Sequence, residues 1–65
     1  MKIIHNGKPC EITAVTLADA LVELGFGEAV VATAVNEVFV PVKARDACEL
    51  VDEDRVEVLA PRQGG

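Results

Sequence analysis

The chain has 65 residues and a mass of 6.9 kDa, which leaves room for one domain, since typical domains run to roughly 100–200 residues. Apolar residues make up 51% of it, too many for a disordered chain, yet so small a body has little interior to hollow into a substrate pocket, which speaks against an enzyme. Six Lys and Arg against eleven Asp and Glu give a net charge of −5, which repels phosphate backbones and anionic membranes and leaves a basic protein surface as the favoured partner.

Lys2-Ile3-Ile4-His5 opens the chain as a β-branched run, and Asn6-Gly7 follows, the pair that best tolerates the positive φ angles of a type I′ hairpin turn. The second strand of that hairpin runs from Lys8 to about Ile12, with Pro9 confined to an edge or strand-start position because it cannot donate to a ladder. Thr16 then reads as a helix N-cap, with Asp19 placed to return the capping bond. Leu17, Ala20, Leu21 and Leu24 follow at i, i+3, i+4 and i+7, a single apolar stripe, and Gly25 supplies a left-handed cap just beyond it.

Val30 to Val35 predicts a third strand, apolar on both faces and therefore inside a sheet, and Asn36-Glu37 turns it into a fourth, Val38 to Val40, stopped by Pro41. Val42 to Val51 lacks clean periodicity and reads as an irregular crossover with one helical turn near Asp46 to Cys48. Asp52-Glu53-Asp54 reads as a solvated turn, and Arg55 to Leu59 alternates as a half-buried last strand. The order β-β-α-β-β-β, with one helix to cover one face of a mixed sheet, is the β-grasp arrangement of an α+β fold. A ferredoxin-like fold would need a second full helix that Val42 to Val51 does not supply.

The rest of the composition removes further options. Phe26 and Phe39 are the only aromatic residues, so the stacking platforms of single-strand nucleic-acid binders are missing. Cys10 and Cys48 cannot make a four-thiolate metal site. With no signal-like start and no long apolar run, the chain is expected in the cytoplasm, where both thiols stay free. His5 is read as a packed or edge residue, because the chain has no serine for it to activate and neither cysteine lies near it in sequence.

After Leu59 the apolar pattern stops, dividing the chain into a body, 1–60, and a tail, 61–65, that ends Pro61-Arg62-Gln63-Gly64-Gly65. Extended, that tail spans roughly 17 Å. Without Cβ atoms Gly64 and Gly65 fit a channel too narrow for other residues, so the tail can carry its carboxylate into another protein's cleft, with Arg62 and Gln63 threading behind. A carboxylate resists nucleophiles until it is activated, for instance as a mixed anhydride with AMP. The chain has no phosphate-binding glycine loop or activated cysteine, so a partner must supply ATP chemistry. An idle, frayed end is the other reading of the same residues.

Lys2-Ile3-Ile4-His5-Asn6-Gly7, the helix from Thr16-Leu17 to Leu24-Gly25, Val31 through Asn36, Phe39-Val40-Pro41, Asp54-Arg55-Val56-Glu57 and the closing Pro61-Arg62-Gln63-Gly64-Gly65 together resemble the ThiS family of thiamine-biosynthesis sulfur carriers over essentially the whole chain. The resemblance implies a ubiquitin-like fold, adenylation of Gly65 by an E1-like enzyme using ATP, and conversion of that end to a thiocarboxylate. It further implies sulfur supplied by a cysteine desulfurase or another donor, delivery to thiazole synthase, and no cofactor or metal bound by the chain itself. The related MoaD family of molybdopterin sulfur carriers shares fold and tail and is the alternative, as is a ubiquitin-like binding module. One departure is Val42 in the loop after Pro41, where similar sequences carry Arg and then Trp. If Met1, Ile3 and His5 point inward beside Val56 and Val58, then Ile4, Leu59 and Ala34 point outward and form the partner-docking face.

Overall fold

The computed structural model describes residues 1–61. Strands β1 (Lys2–His5) and β2 (Lys8–Glu11) form the first hairpin, and α1 (Leu17–Glu23) follows. β3 (Ala32–Val35) and β4 (Val38–Val40) form the second hairpin, a 3₁₀ helix spans Val42–Ala47, and β5 (Arg55–Leu59) comes last. The strands make one five-stranded sheet in the order β2-β1-β5-β3-β4. β5 runs parallel to β1 and antiparallel to β3, and both hairpins are antiparallel. This mixed sheet with its one α-helix is the β-grasp architecture expected from the sequence.

Each hairpin turns on an asparagine in the left-handed region. Asn6 and Gly7 have φ of 49° and 86°, and Asn36 and Glu37 have φ of 51° and 72°, so both turns have the two positive φ angles of type I′. Pro9 lies on β2, at the sheet's edge, where its missing N–H costs no ladder bond.

Helix α1 starts where Thr16 stops being extended: the Asp19 N–H donates to Thr16 Oγ1 at 3.2 Å. The expected return bond from the Asp19 carboxylate is not made, because Asp is one methylene shorter than the Glu of a capping box. The helix ends in a Schellman motif, with the Phe26 N–H donating to Leu21 C=O at 2.7 Å, the Gly25 N–H to Val22 C=O at 3.1 Å, and Gly25 at φ 96°. Glu23 faces outward near this end, and its carboxylate accepts the N–H groups of Thr13 (3.0 and 2.9 Å) and Ala14 (2.9 Å) and so holds the loop that leads into the helix.

The core forms between α1 and the inner face of the sheet. Leu17, Ala20 and Leu21 come from the helix, Ile3, Val56, Val58 and Val40 from the strands, and Ile12, Val31 and Leu50 from the connections. Thr33 is buried among them and donates to Val40 C=O at 2.9 Å. Arg45 reaches in from the 3₁₀ helix, donating through Nε to Thr33 Oγ1 (3.1 Å) and through Nη2 to Val31 C=O (2.7 Å).

Three local readings are corrected. The third strand starts at Ala32, because Val30 lies in water, 76% exposed, and only from Ala32 does the chain pair with Leu59. The crossover is a 3₁₀ helix over Val42–Ala47 in place of a turn at Asp46 to Cys48; Pro41, extended at φ −68°, leads into it, and its three-residue period leaves no 3.6-residue stripe to read. Asp54 is not solvated: only 8% exposed, it accepts the Val51 N–H (2.8 Å) and the Asn36 Nδ2–H (2.9 Å) and so closes the turn before β5. Among the described residues no helix is long and apolar enough to cross a membrane, and no group of three or more His, Cys, Asp or Glu side chains could hold a metal ion.

Candidate functional site

Arg62, Gln63, Gly64 and Gly65 lie outside the described residues; the point from which they extend does not. β5 is the middle strand, paired on both flanks, and its last residue, Leu59, sits opposite Ala32 of β3. On the other flank the β1 ladder runs from the Ile4 N–H donating to Asp54 C=O (2.8 Å) to the Asn6 N–H donating to Val56 C=O (3.0 Å). There β1 turns away, and the side-chain amide of Asn6 takes over. Val58 N–H donates to Asn6 Oδ1 at 2.8 Å and Asn6 Nδ2–H donates to Val58 C=O at 3.1 Å. Ala60 and Pro61 follow as exposed chain.

The alternation of β5 puts Val56 and Val58 into the core and Arg55, Glu57 and Leu59 on the face the helix leaves open. Register carries that face across the sheet: Ile4 lies opposite Arg55, Ala34 opposite both Glu57 and Phe39, and Ala32 opposite Leu59. The sequence-based trio Ile4, Ala34 and Leu59 therefore shares one face. Phe39 joins it, a placement the sequence does not signal, because Val38, Phe39 and Val40 are all apolar and give no inside-outside contrast.

The face is apolar around Leu59, Ala32, Ala34 and Phe39 and charged along the middle strand, where Arg55 and Glu57 stand between that patch and Ile4. Leu59 is 71% exposed and Phe39 65%, and between them lies a shallow hollow of about 130 Å³ lined by Ala32, Thr33, Ala34, Phe39, Glu57 and Leu59. A neighbouring hollow of about 120 Å³ is lined by Ile4, Gly7, Glu37, Arg55 and Glu57. Arg55 and Glu37 approach to 3.9 Å, an exposed pair of little energetic weight. Such open hollows suit a protein surface better than a small molecule.

Among the described residues, no histidine or cysteine stands on this face. His5 lies on the inner side, edge-on to Phe26 with ring centroids 5.8 Å apart, and its Nε2 is buried without a hydrogen-bond partner among the described residues. Cys10 and Cys48 are both free thiols, half-buried against the core. Burial, with the nearby Asp54 charge adding to it, pushes the Cys48 thiol above its ordinary pKa, which keeps it protonated and unreactive at neutral pH. What the arrangement offers is an exposed, partly apolar surface beside the last residue of β5.

The chain matches the model of the ThiS family over residues 3–65. It is similar to the crystal structure of a thiamine biosynthesis protein (ThiS) from Geobacter metallireducens, at 29% identity and a TM-score of 0.84, with all of both chains covered. It is similar also to the NMR solution structure of a thiamine biosynthesis protein from Geobacter metallireducens, at 28% identity and a TM-score of 0.81, covering 100% of this chain and 88% of that one. No curated protein sequence matches the chain.

Proposed function

The chain belongs to the ThiS family, and from that membership we propose that it is a sulfur carrier of thiamine biosynthesis, a protein co-substrate whose chemistry is confined to its C-terminal carboxylate. The reading rests above all on the family match running through residue 65, so that the Gly64-Gly65 end is part of what is matched. The open apolar face at the foot of that end supports it.

In this reading the body, residues 1–60, docks and the tail, residues 61–65, reacts. An E1-like adenylyltransferase binds the face carrying Ile4, Ala34 and Leu59 and receives the tail. The Gly65 carboxylate attacks the α-phosphorus of ATP and pyrophosphate leaves, giving an acyl adenylate. A persulfide formed on a cysteine desulfurase then displaces AMP through its outer sulfur to give an acyl disulfide, and a second partner thiol cleaves the S–S bond, leaving the thiocarboxylate on Gly65 and a disulfide on the partner. A hydrosulfide donor would instead displace AMP directly to the same thiocarboxylate, which thiazole synthase consumes. ATP is bound by the partner. The chain contributes an end slim enough to enter a narrow channel, since Gly64 and Gly65 have no Cβ, and a surface that brings that end to the right enzyme.

Intact mass tests this directly. Incubated with a cognate activating enzyme, ATP and a sulfur source, the chain gains the mass difference of one oxygen exchanged for sulfur. Deleting Gly65, or adding one residue after it, abolishes the gain and leaves the melting temperature unchanged. A truncated chain that still loads sulfur, or a full chain that never does, overturns the proposal.

A further inference from the structure

β5 is held to β1 by main-chain bonds only as far as Val56. Val58, itself buried, presents its N–H and C=O to the flank where β1 has already turned into the hairpin, and buried backbone groups left unpaired are costly. The Asn6 amide satisfies both at once, at 2.8 and 3.1 Å. Few residues could do this. The position needs positive φ (49°), which Gly and Asn tolerate best, and Val58 needs a donor and an acceptor together, which a glycine lacks and an aspartate half-supplies. Asn meets both demands.

Past Val58, the described pairing of β5 consists of Leu59 against Ala32 on the other flank. We propose that Asn6 is a positioning residue for the C-terminal tail: its amide keeps β5 zipped to its last residue, Leu59, and so fixes the point from which residues 61–65 would reach a partner. This deepens the carrier reading and rests on it. Were β5 to come loose back to Val56, the leash would lengthen by roughly 10 Å, Leu59 would leave the docking face, and the effective concentration of Gly65 at a docked catalytic centre would fall.

Asn6→Gly keeps the turn and deletes the amide; Asn6→Asp keeps the turn and one acceptor. Thr16→Ala, which loses the helix cap far from β5, serves as a control for stability. Amide exchange of the full chain and steady-state adenylation by the cognate activating enzyme, followed as pyrophosphate release, are measured for each. Asn6→Gly is expected to speed exchange at Val58 by roughly 10- to 30-fold while Ile3 and Leu17 stay protected, and to lower kcat for adenylation about fivefold or more with KM within about twofold. Asn6→Asp falls between, and Thr16→Ala keeps the wild-type kcat. Unchanged protection at Val58, a loosened Val58 with unchanged kcat, or an equal loss of kcat in Thr16→Ala each overturns the assignment. A wild-type chain that is never adenylated takes down the carrier reading and the tail role with it, whereas exchange at Val58 still decides by itself whether Asn6 holds the strand.

Discussion

Replacing Leu59 by Arg tests the open sheet face as a docking surface. Fully burying a leucine side chain is worth about 1.5–3 kcal/mol; Leu59 is 71% exposed in the free chain, so a partner covering it gains about 1–2 kcal/mol. Arginine forfeits that gain and brings a guanidinium that must be desolvated against Phe39 and Ala32. Affinity for the activating enzyme is expected to fall at least about tenfold, the equivalent of 1.4 kcal/mol. Folding is barely affected, because the folded chain buries so little of Leu59. In a domain of this size 1 kcal/mol moves Tm by about 4–8 °C, so a shift within about 2 °C is expected. Isothermal titration with the cognate enzyme and a thermal melt measure the two quantities. Phe39→Arg, on the same face, is expected to behave likewise, and Val15→Arg, exposed but before the helix, is expected to bind as wild type. If Leu59→Arg and Phe39→Arg both fold and both bind with unchanged Kd, the face is not where the partner docks.

Three further outcomes follow from the body of the protein. Leu21→Asp puts a charge among Leu17, Ile3 and Val56 with no partner, and circular dichroism is expected to show most of the population unfolded at 25 °C. Glu37 holds a φ of 72° that costs a residue with a Cβ, so Glu37→Gly is expected to raise stability by about 0.5–1 kcal/mol in urea unfolding, the lost pair to Arg55 counting for little; a decrease would show that the pair outweighs the backbone strain. The bonds from the Thr13 and Ala14 N–H groups hold the Glu23 carboxyl below its ordinary pKa. Because the folded value is the lower one, its contribution is complete above the unfolded pKa and is lost as pH falls through the folded value. The stability gap between wild type and Glu23→Ala is therefore expected to be constant above about pH 5.5 and to close as acid is added below about pH 4.5; a gap that persists to pH 2 would show that the carboxylate charge is not what holds the loop.

Much of the architecture is legible in the residues because local chemistry and long-range packing agree. Asn6-Gly7 names its turn type, Thr16 and Gly25 bracket a helix whose stripe is unbroken, and Pro9 excludes a central strand. What escapes the sequence is decided by groups far apart in the chain. Asp54 looks like one acid of three, and only the approach of Asn36 and the Val51 N–H makes it an internal acceptor. Asn36 looks like a turn residue, yet its Oδ1 also accepts the Arg55 N–H at 3.0 Å. Phe39 joins the open face through register with Ala34, which no periodicity in a three-residue strand can reveal. Ile4 and Leu59 are placed together by alternation along β1 and β5, which has a clear inside reference in Ile3, Val56 and Val58, whereas Ala34 of β3 joins them through its register with Glu57. The end of the chain is the opposite case: Gly64 and Gly65 are plain in the sequence and lie outside the described residues.

The strand at the middle of the sheet is also the last to leave the ribosome among the described elements. Until β5 emerges, the two hairpins have short-range pairings of their own but no common partner, and a slot stays open between β1 and β3. Filling it joins the halves and in the same event seats Leu59 opposite Ala32, the last described pairing of the strand. In the carrier reading proposed above, a chain cut short before that moment lacks both the sheet's keystone and the glycines to be loaded, so an enzyme that required the two together would accept finished molecules only.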